Sequence, residues 1–306
     1  MKGPGLLRKA AGICSSSFLF NKGRRLWEQN SKDWNFPLSK SGKLWCGSYI
    51  ILHDFAAGLF PPRFEDQAEA YQNEIDYNAS IPGVPLAEVQ KAHATKPFWN
   101  AATCEKHLGD FIHLFAVLEQ HGIKPGQRLL ELGCGSGWMA ELLALAGYSV
   151  VGTTISHHDI PLANKRIEVL KHKEVSAELK FLACPMESVD TLPELRGAFD
   201  AVFVYEALHH AFDWRKTLRA AIATLKPGGC LLLVNEPNRL HTFISYRVAK
   251  LSRTHEIGFS KNALVRELKT AGFCDVKVLR PGIDNWVGPI WMTARKAPSH
   301  SASALR

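Results

Sequence analysis

From about residue 107 onward the sequence predicts an α/β fold, a doubly wound and mainly parallel sheet with helices on both faces. Two observations predict it. Short apolar runs alternate with one-faced helical patterns of about ten to fifteen residues, which is how right-handed βαβ units read in a sequence. A glycine-rich turn, residues 133–137, joins the first apolar run to the next helical pattern, and it falls at the strand end where open α/β sheets bind ligands.

The elements follow in order. Residues 107–121 carry Leu108, Phe111, Ile112, Phe115 and Leu118 on one helical face, and Lys124-Pro125-Gly126 turns the chain. A buried strand is expected over 128–132, then a helix over 138–146 with Gly147 as its left-handed C-terminal cap. Strand 149–152, helix 161–172, strands 180–183 and 201–204, helix 214–225, a Lys-Pro-Gly-Gly turn and strand 230–234 continue the series. A helical insertion over 240–251, a helix over 261–271 ended by Gly272, and two strands over 276–279 and 286–293 close it. The short Pro281-Gly282 joint predicts that the last two strands form an antiparallel hairpin.

The chain has 306 residues, 46% hydrophobic and 22% charged, as in an ordinary globular protein. Its net charge of +8 is uneven. Residues 1–60 hold 9 basic against 3 acidic side chains and residues 238–306 hold 12 against 4, whereas residues 61–100 and 101–237 are each net −3. That distribution argues against general nucleic-acid binding and points to an acidic ligand, or an acidic surface that carries it. No stretch approaches ~18 consecutive apolar residues, so no membrane-spanning helix is expected. Seven cysteines scattered without a C-x-x-C pair argue against a disulfide framework or a zinc ribbon. The expectation is a cytoplasmic protein, with its basic first 27 residues as an N-terminal arm; an organelle transit peptide is the lesser reading.

Residues 1–100 show no sustained period yet hold four of the eight tryptophans. The expected organisation is therefore an aromatic-rich extension or cap over 1–100 that shapes a substrate pocket, a main domain over 101–297 with a helical insertion at 238–254, and a disordered tail over 298–306. In the insertion Leu240, Phe243, Ile244, Val248 and Leu251 recur at helical spacing, with Arg239, Arg247, Lys250 and Arg253 as the polar complement. Such a helix packs on the sheet or lies peripherally on an anionic membrane.

The loop ELGCGSG, residues 131–137, has G-x-G-x-G spacing, with Trp138 where a dinucleotide fold places its third glycine and no acid about 20 residues later. A nicotinamide enzyme is thus disfavoured. Residues 128–156, RLLELGCGSGWMAELLALAGYSVVGTTIS, resemble the first motif of the class I S-adenosylmethionine-dependent methyltransferases, of the methyltransferase type 11-like kind. Residues 199–210, FDAVFVYEALHH, resemble that family's fourth strand, LKPGG at 225–229 its turn before the fifth, and residues 255–273, ending KTAGF, its last helix. The four motifs stand in the family's order. The resemblance implies a Rossmann-like sheet of seven strands with an antiparallel last strand, S-adenosylmethionine as cofactor, and a methyl transfer reaction.

By position, the resemblance assigns Glu131 to the cofactor's methionine amino group and the backbone at Gly133, Gly135 and Gly137 to its ribose and methionine portion, with Cys134 as a small spacer. Thr154 stands where an acid would hold both ribose hydroxyls, and a hydroxyl cannot replace a carboxylate there. Met186 would pack on the adenine and Glu187 supply a polar contact, Pro185 standing in the turn where an acid is usual; Tyr205 completes the cofactor set. His209, His210 and Glu206, just past the fourth strand, are the candidate general bases, although such histidines also serve to cap the loop. No metal is expected, because neighbouring histidines such as His157-His158 and His209-His210 should diverge and no H-E-x-x-H spacing occurs. Tyr205-Glu206-Ala207-Leu208 in place of an N-P-P-Y type motif tilts the acceptor toward oxygen or carbon of a small-molecule, glycan or lipid-like compound. The alternative, given Thr154 and Pro185, is a non-catalytic methyltransferase-like binding protein.

Overall fold

The computed structural model describes residues 18–33, 36–80, 84–173, 177–279 and 288–298. Among the described residues four helices come first: α1 Phe18–Asn30, α2 Lys40–Ala56, α3 Gln67–Asn78 and α4 Leu86–Thr95. Two have side-chain caps, Ser39 accepting from Gly42 N at the start of α2 and Asp66 from the amides of Ala68 and Glu69 at the start of α3. Then follow α5 Ala101–Gln120, β1 Arg128–Leu132, α6 Trp138–Leu145, β2 Ser149–Thr154, α7 Asp159–His172, β3 Leu179–Ala183, β4 Phe199–Tyr205, α8 Trp214–Thr224 and β5 Leu225–Glu236. Helices α9 Thr242–Ser252 and α10 Lys261–Thr270 precede β6 Phe273–Val278 and β7 Ile290–Lys296.

The sheet has seven strands in the order β3-β2-β1-β4-β5-β7-β6. β1 lies parallel between β2 and β4, with Glu131 level with Gly152 and Phe203, so both strands flanking it end at one ligand-binding edge. β7 runs antiparallel between β5 and β6, as the doubly wound, seven-stranded expectation required. The Pro281-Gly282 joint lies outside the described residues. Leu114, Leu118, Met139, Leu143, Ala163 and Leu170 from α5, α6 and α7 fill one face of the sheet, and Leu218, Ala221, Leu264 and Leu268 from α8 and α10 fill the other. β5 differs from the expected strand. It begins at Leu225, absorbs the Lys-Pro-Gly-Gly turn in a register shift opposite Phe199 and Ala201, and continues to Glu236 at the site.

The insertion helix α9 does not rest on the sheet. It packs on α1 and α2, where Cys46, Ile50, Tyr246 and Ala249 form a separate small core. Two of its basic residues turn inward, against the amphipathic expectation. Arg247 is 3% exposed and donates to the backbone carbonyls of Asn30, the last residue of α1, and of Asp33 and Phe36 in the segment that follows it. Lys250 pairs with the buried Asp54 carboxylate, which also accepts from the Tyr246 hydroxyl at 3.0 Å. Both charges are thus engaged within the protein, although the Lys250 side chain remains 31% exposed. Among the described residues no helix is long and apolar enough to cross a membrane.

The contact between α2 and α9 is close enough to test. A Cβ on Gly47 would overlap the Phe243 carbonyl oxygen, backbone that cannot swing aside. Gly47→Ala should destabilise the protein by about 1–3 kcal/mol, the ordinary cost of overpacking. Gly109→Ala, in α5 with open space around its Cβ, should instead gain about 0.5–1 kcal/mol from helix propensity. Urea unfolding of both variants reads the two signs, and equal midpoints would remove the claim of close packing.

Candidate active site

The edge formed by the carboxyl ends of β1, β2 and β4 opens into a cavity. Ten of the twelve residues singled out in the sequence line it: Glu131, Gly133, Cys134, Gly135, Thr154, Met186, Glu187, Tyr205, Glu206 and His210. The other two, Gly137 and His209, do not. All three loop glycines have left-handed backbones, with φ of +74° at Gly133, +50° at Gly135 and +75° at Gly137. Their surroundings differ. A Cβ on Gly133 would lie 2.5 Å from that of Ala207, and one on Gly135 would face the cavity, 3.8 Å from Asp159 Oδ2. At Gly137 it would strike the Phe181 ring, so this glycine lets α6 close on the sheet rather than lining the ligand space.

Glu131 is 2% exposed, and its Oε2 has no hydrogen-bond partner among the described residues. Burial pushes its carboxyl up to about 8, opposed by the Ala140 amide and by Lys96 and Arg166. An orphaned carboxylate oxygen aimed at a cavity calls for a cationic hydrogen-bond donor, and the ammonium of a bound S-adenosylmethionine fits that need. Trp138 adds an apolar wall, edge-on to His107 and Tyr205, with Lys96 Nζ 5.5 Å from its ring centre. Burial together with the Glu131 and Asp159 charges pushes the Cys134 thiol well up, which leaves it protonated and a spacer.

Other side chains are already engaged. Thr154 Oγ1 accepts from Ser156 N at 3.1 Å and so closes its own turn. Glu187 accepts from the Tyr71 hydroxyl at 2.9 Å and from Asp213 N at 3.1 Å, tying α3 to the start of α8. The Tyr205 hydroxyl donates to Asp110 at 2.8 Å. Met186 sits over Gly133, its sulfur 3.5 Å from where a Cβ would stand.

Sequence reasoning missed Asp159 at the start of α7. It is 1% exposed, lines the cavity, and bonds Asn78 Nδ2 at 2.7 Å and His93 Nδ1 at 3.1 Å. The signal was an acid five residues beyond Thr154, past the strand end where one was sought. Lys96 was missed too, since nothing in its local pattern marks it as facing β1.

Beyond β4, Glu206 has φ +47° and Asn235 has φ +60°, and the Asn235 amide donates to Glu206 at 2.7 Å. Two non-glycine residues held in the left-handed region at adjoining strand ends mark backbone strain of about 1–3 kcal/mol each, which collects at functional sites. Although burial alone would raise it, the Glu206 carboxyl is held below its usual range by Lys106, 2.7 Å away, and by Lys96 and His107. A second, polar cavity adjoins the first and shares Glu206 and His210 with it; His209, His241, Asn238 and Glu256 also line it.

His209 and His210 do not diverge as adjacent residues were expected to. Residues 208–210 form a single 3-10 turn, and the amides of Ala207, which caps it, and Leu208 donate to the buried Glu236 carboxylate at 2.9 and 2.8 Å. That turn stacks the two rings with centroids 4.0 Å apart. His209 Nδ1 meets Glu236 at 2.9 Å and His210 Nδ1 meets Glu74 of α3 at 2.8 Å, so both rings brace the loop while lining the second cavity.

A family model described as a methyltransferase domain matches residues 102–278. The ubiquinone biosynthesis O-methyltransferase of Bordetella bronchiseptica is 32% identical over 156 residues, covering 49% of this chain and 62% of the relative. That of Chromobacterium violaceum is 35% identical over 114 residues, covering 37% of this chain and 45% of the relative. The chain thus spans at most about three-fifths of the length of these curated relatives. Among solved structures, the CurJ carbon methyltransferase shares the fold, with a TM-score of 0.50 and 14% identity over 90% of this chain and 70% of that one. The ordered motifs, the seven-stranded sheet and the domain match agree, and the chain belongs to the methyltransferase domain family, within its class I S-adenosylmethionine-dependent branch.

Proposed function

We propose that this chain transfers a methyl group from S-adenosylmethionine to an oxygen atom of a small-molecule acceptor that enters through the second cavity. The observation that carries the reading is the buried, unpartnered Glu131 oxygen above an open glycine turn, one wall away from a polar cavity. The names of the similar proteins support oxygen over carbon. Because Lys106, already paired with Glu206, and the Glu256 carboxylate both line it, a hydroxyl compound of low charge suits the cavity better than a strongly acidic glycan or lipid headgroup. Residues from α3 and α4, including Tyr71, Asn78 and His93, line the first cavity, which supports the role of the N-terminal helices as a cap.

S-adenosylmethionine, when bound, supplies a methyl group on a sulfonium that leaves as a neutral thioether. In this reading Glu131 holds the ammonium, Asp159 takes the place of the missing strand-end acid toward the ribose hydroxyls, and Met186 packs against the adenine. Trp138 and the cap exclude water, so most of the rate comes from positioning. Glu206, ionised and shared by both cavities, accepts the acceptor's hydroxyl proton.

The test is incubation of the protein with methyl-labelled cofactor and a panel of phenolic and aliphatic alcohols, followed by identification of the labelled ether. Glu206→Gln should lower kcat by about 10²–10⁴ and leave cofactor affinity within threefold. Cofactor binding without label in any acceptor would favour a non-catalytic binding protein.

A further inference from the structure

We propose that His209, His210, His241 and Glu256 bind a divalent transition-metal ion, zinc being the ion these donors suit best. The Nε2 atoms of His209 and His210 lie 4.0 and 3.6 Å from Glu256 Oε1, and these three donor atoms are all within 4.8 Å of one another. His241 Nε2 approaches the other Glu256 oxygen at 3.8 Å. These separations are too long for hydrogen bonds. They are close to the edge of a tetrahedron of nitrogen and oxygen donors around zinc, roughly 3.4 Å for bonds of ~2.0–2.1 Å; His209, His210 and Glu256 form the group already gathered, and the 41% exposed His241 side chain must turn inward to complete it.

The outer groups are those that a metal-binding imidazole needs. Each of His209 and His210 has its Nδ1 on a buried carboxylate, Glu236 or Glu74, an arrangement that fixes the ring, keeps the Nδ1 proton in place and leaves the Nε2 lone pair for a metal. Glu236, Glu74 and Glu256 are 0%, 4% and 8% exposed. Three buried carboxylates around the imidazoles call for positive charge, and a divalent ion between the rings and Glu256 supplies it. Imidazole with one carboxylate favours zinc over the oxygen-only preference of magnesium or calcium. The cluster lines the second cavity, so the ion would keep a position open toward whatever enters there, the mark of a reactive rather than a closed structural site. His157-His158 offers a contrast within the same chain: its rings are also 4.0 Å apart, but both residues are exposed.

The experiment uses the full chain, stripped with chelator and titrated with Co²⁺ as the spectroscopic probe, with zinc content of the untreated protein measured by mass spectrometry. One ion per chain and visible bands of a four- or five-coordinate Co²⁺ are expected. Glu256→Gln should weaken Co²⁺ binding at least 100-fold. His241→Ala, at a more exposed position that tolerates truncation, should weaken it about 10- to 100-fold, and the double variant His157→Ala, His158→Ala should bind as the parent does. Absence of stoichiometric binding by the parent, or binding unchanged in both Glu256→Gln and His241→Ala, overturns the site. Loss of binding in the His157, His158 variant alone would likewise assign the ion to the surface pair. None of these readouts needs cofactor or methyl transfer, so the site and the proposed activity fail separately.

Discussion

Glu131→Gln is expected to weaken S-adenosylmethionine binding by about two to three orders of magnitude while leaving the cofactor-free protein as stable as the parent or more so. The loss corresponds to removing one member of a buried charge pair, about 2–5 kcal/mol. The stability has the opposite sign because the carboxyl is buried without a full set of partners. Its proton is held up to about 8, above the 4.5 of an ordinary glutamate. For an acid raised in this way, the folded protein binds more protons than the unfolded chain between those two values. Stability therefore falls as pH rises from about 4.5 to 8, by on the order of 5 kcal/mol in all. Glutamine has no such slope. Cofactor affinity runs the other way: an ammonium needs the carboxylate, so binding below pH 8 expels the Glu131 proton and tightens as pH rises. Above about pH 8 the ligand's own α-amino group loses its charge, so the affinity profile of the parent should peak near pH 8. Calorimetric titration in buffers of different ionisation heats reads the released proton directly. Equal affinities for the parent and Glu131→Gln across pH 6–9 would remove Glu131 from the site.

What the sequence disclosed was what local order determines. Glu131, Gly133 and Gly135 lie at a strand end followed by glycines, and that geometry is set within a few residues, so both the turn and its place at the sheet edge were legible. Gly137 sits in the same pattern, yet its role is decided by Phe181, a ring from another strand. The histidine pair was misjudged for a similar reason. Nothing between residues 205 and 210 announces that Glu236, Glu74 and Glu256, from β5, α3 and the segment before α10, will orient the two rings. The first hundred residues read as patternless because α2 and α3 bury Gly47, Asp54 and Glu74 against partners about 130 to 200 residues away, and small or charged residues at buried positions erase the apolar period. Arg247 was placed on the wrong face by the same logic. A guanidinium counts as polar in any periodicity, but three backbone carbonyls, at the last residue of α1 and in the segment after it, make a buried position its best one.

Asp159→Asn is expected to weaken cofactor binding by about 10- to 100-fold, and to loosen the cap at a distance from the change. Asp159 serves two surfaces at once. Toward the cavity, which it lines with Thr154, it is the acid that the proposed reading turns to the ribose hydroxyls, and charge-assisted hydrogen bonds are about twice as strong as neutral ones. Toward the cap, its Oδ2 accepts from Asn78 at the end of α3 and its Oδ1 meets His93 of α4. An amide in its place keeps one acceptor but turns an NH₂ toward a donor, so one of the two helices loses its partner. Hydrogen exchange should then quicken at the end of α3 and along α4, and stay unchanged in β1. The pH sign is opposite to that of Glu131. Burial alone would raise the Asp159 carboxyl, but His93, Ser156 and Asn78 hold it below its ordinary value, so its contribution is present above the unfolded aspartate range near 3.8 and is lost as pH falls through the lower folded value. Faster exchange with unchanged cofactor affinity would make Asp159 a latch alone, and neither effect would sink the assignment. Two acids in one cavity are thus tuned apart. His93 and Asn78 of the cap help to keep one ionised, burial keeps the proton on the other, and in the proposed reading the cap and the cofactor therefore draw on neighbouring carboxylates.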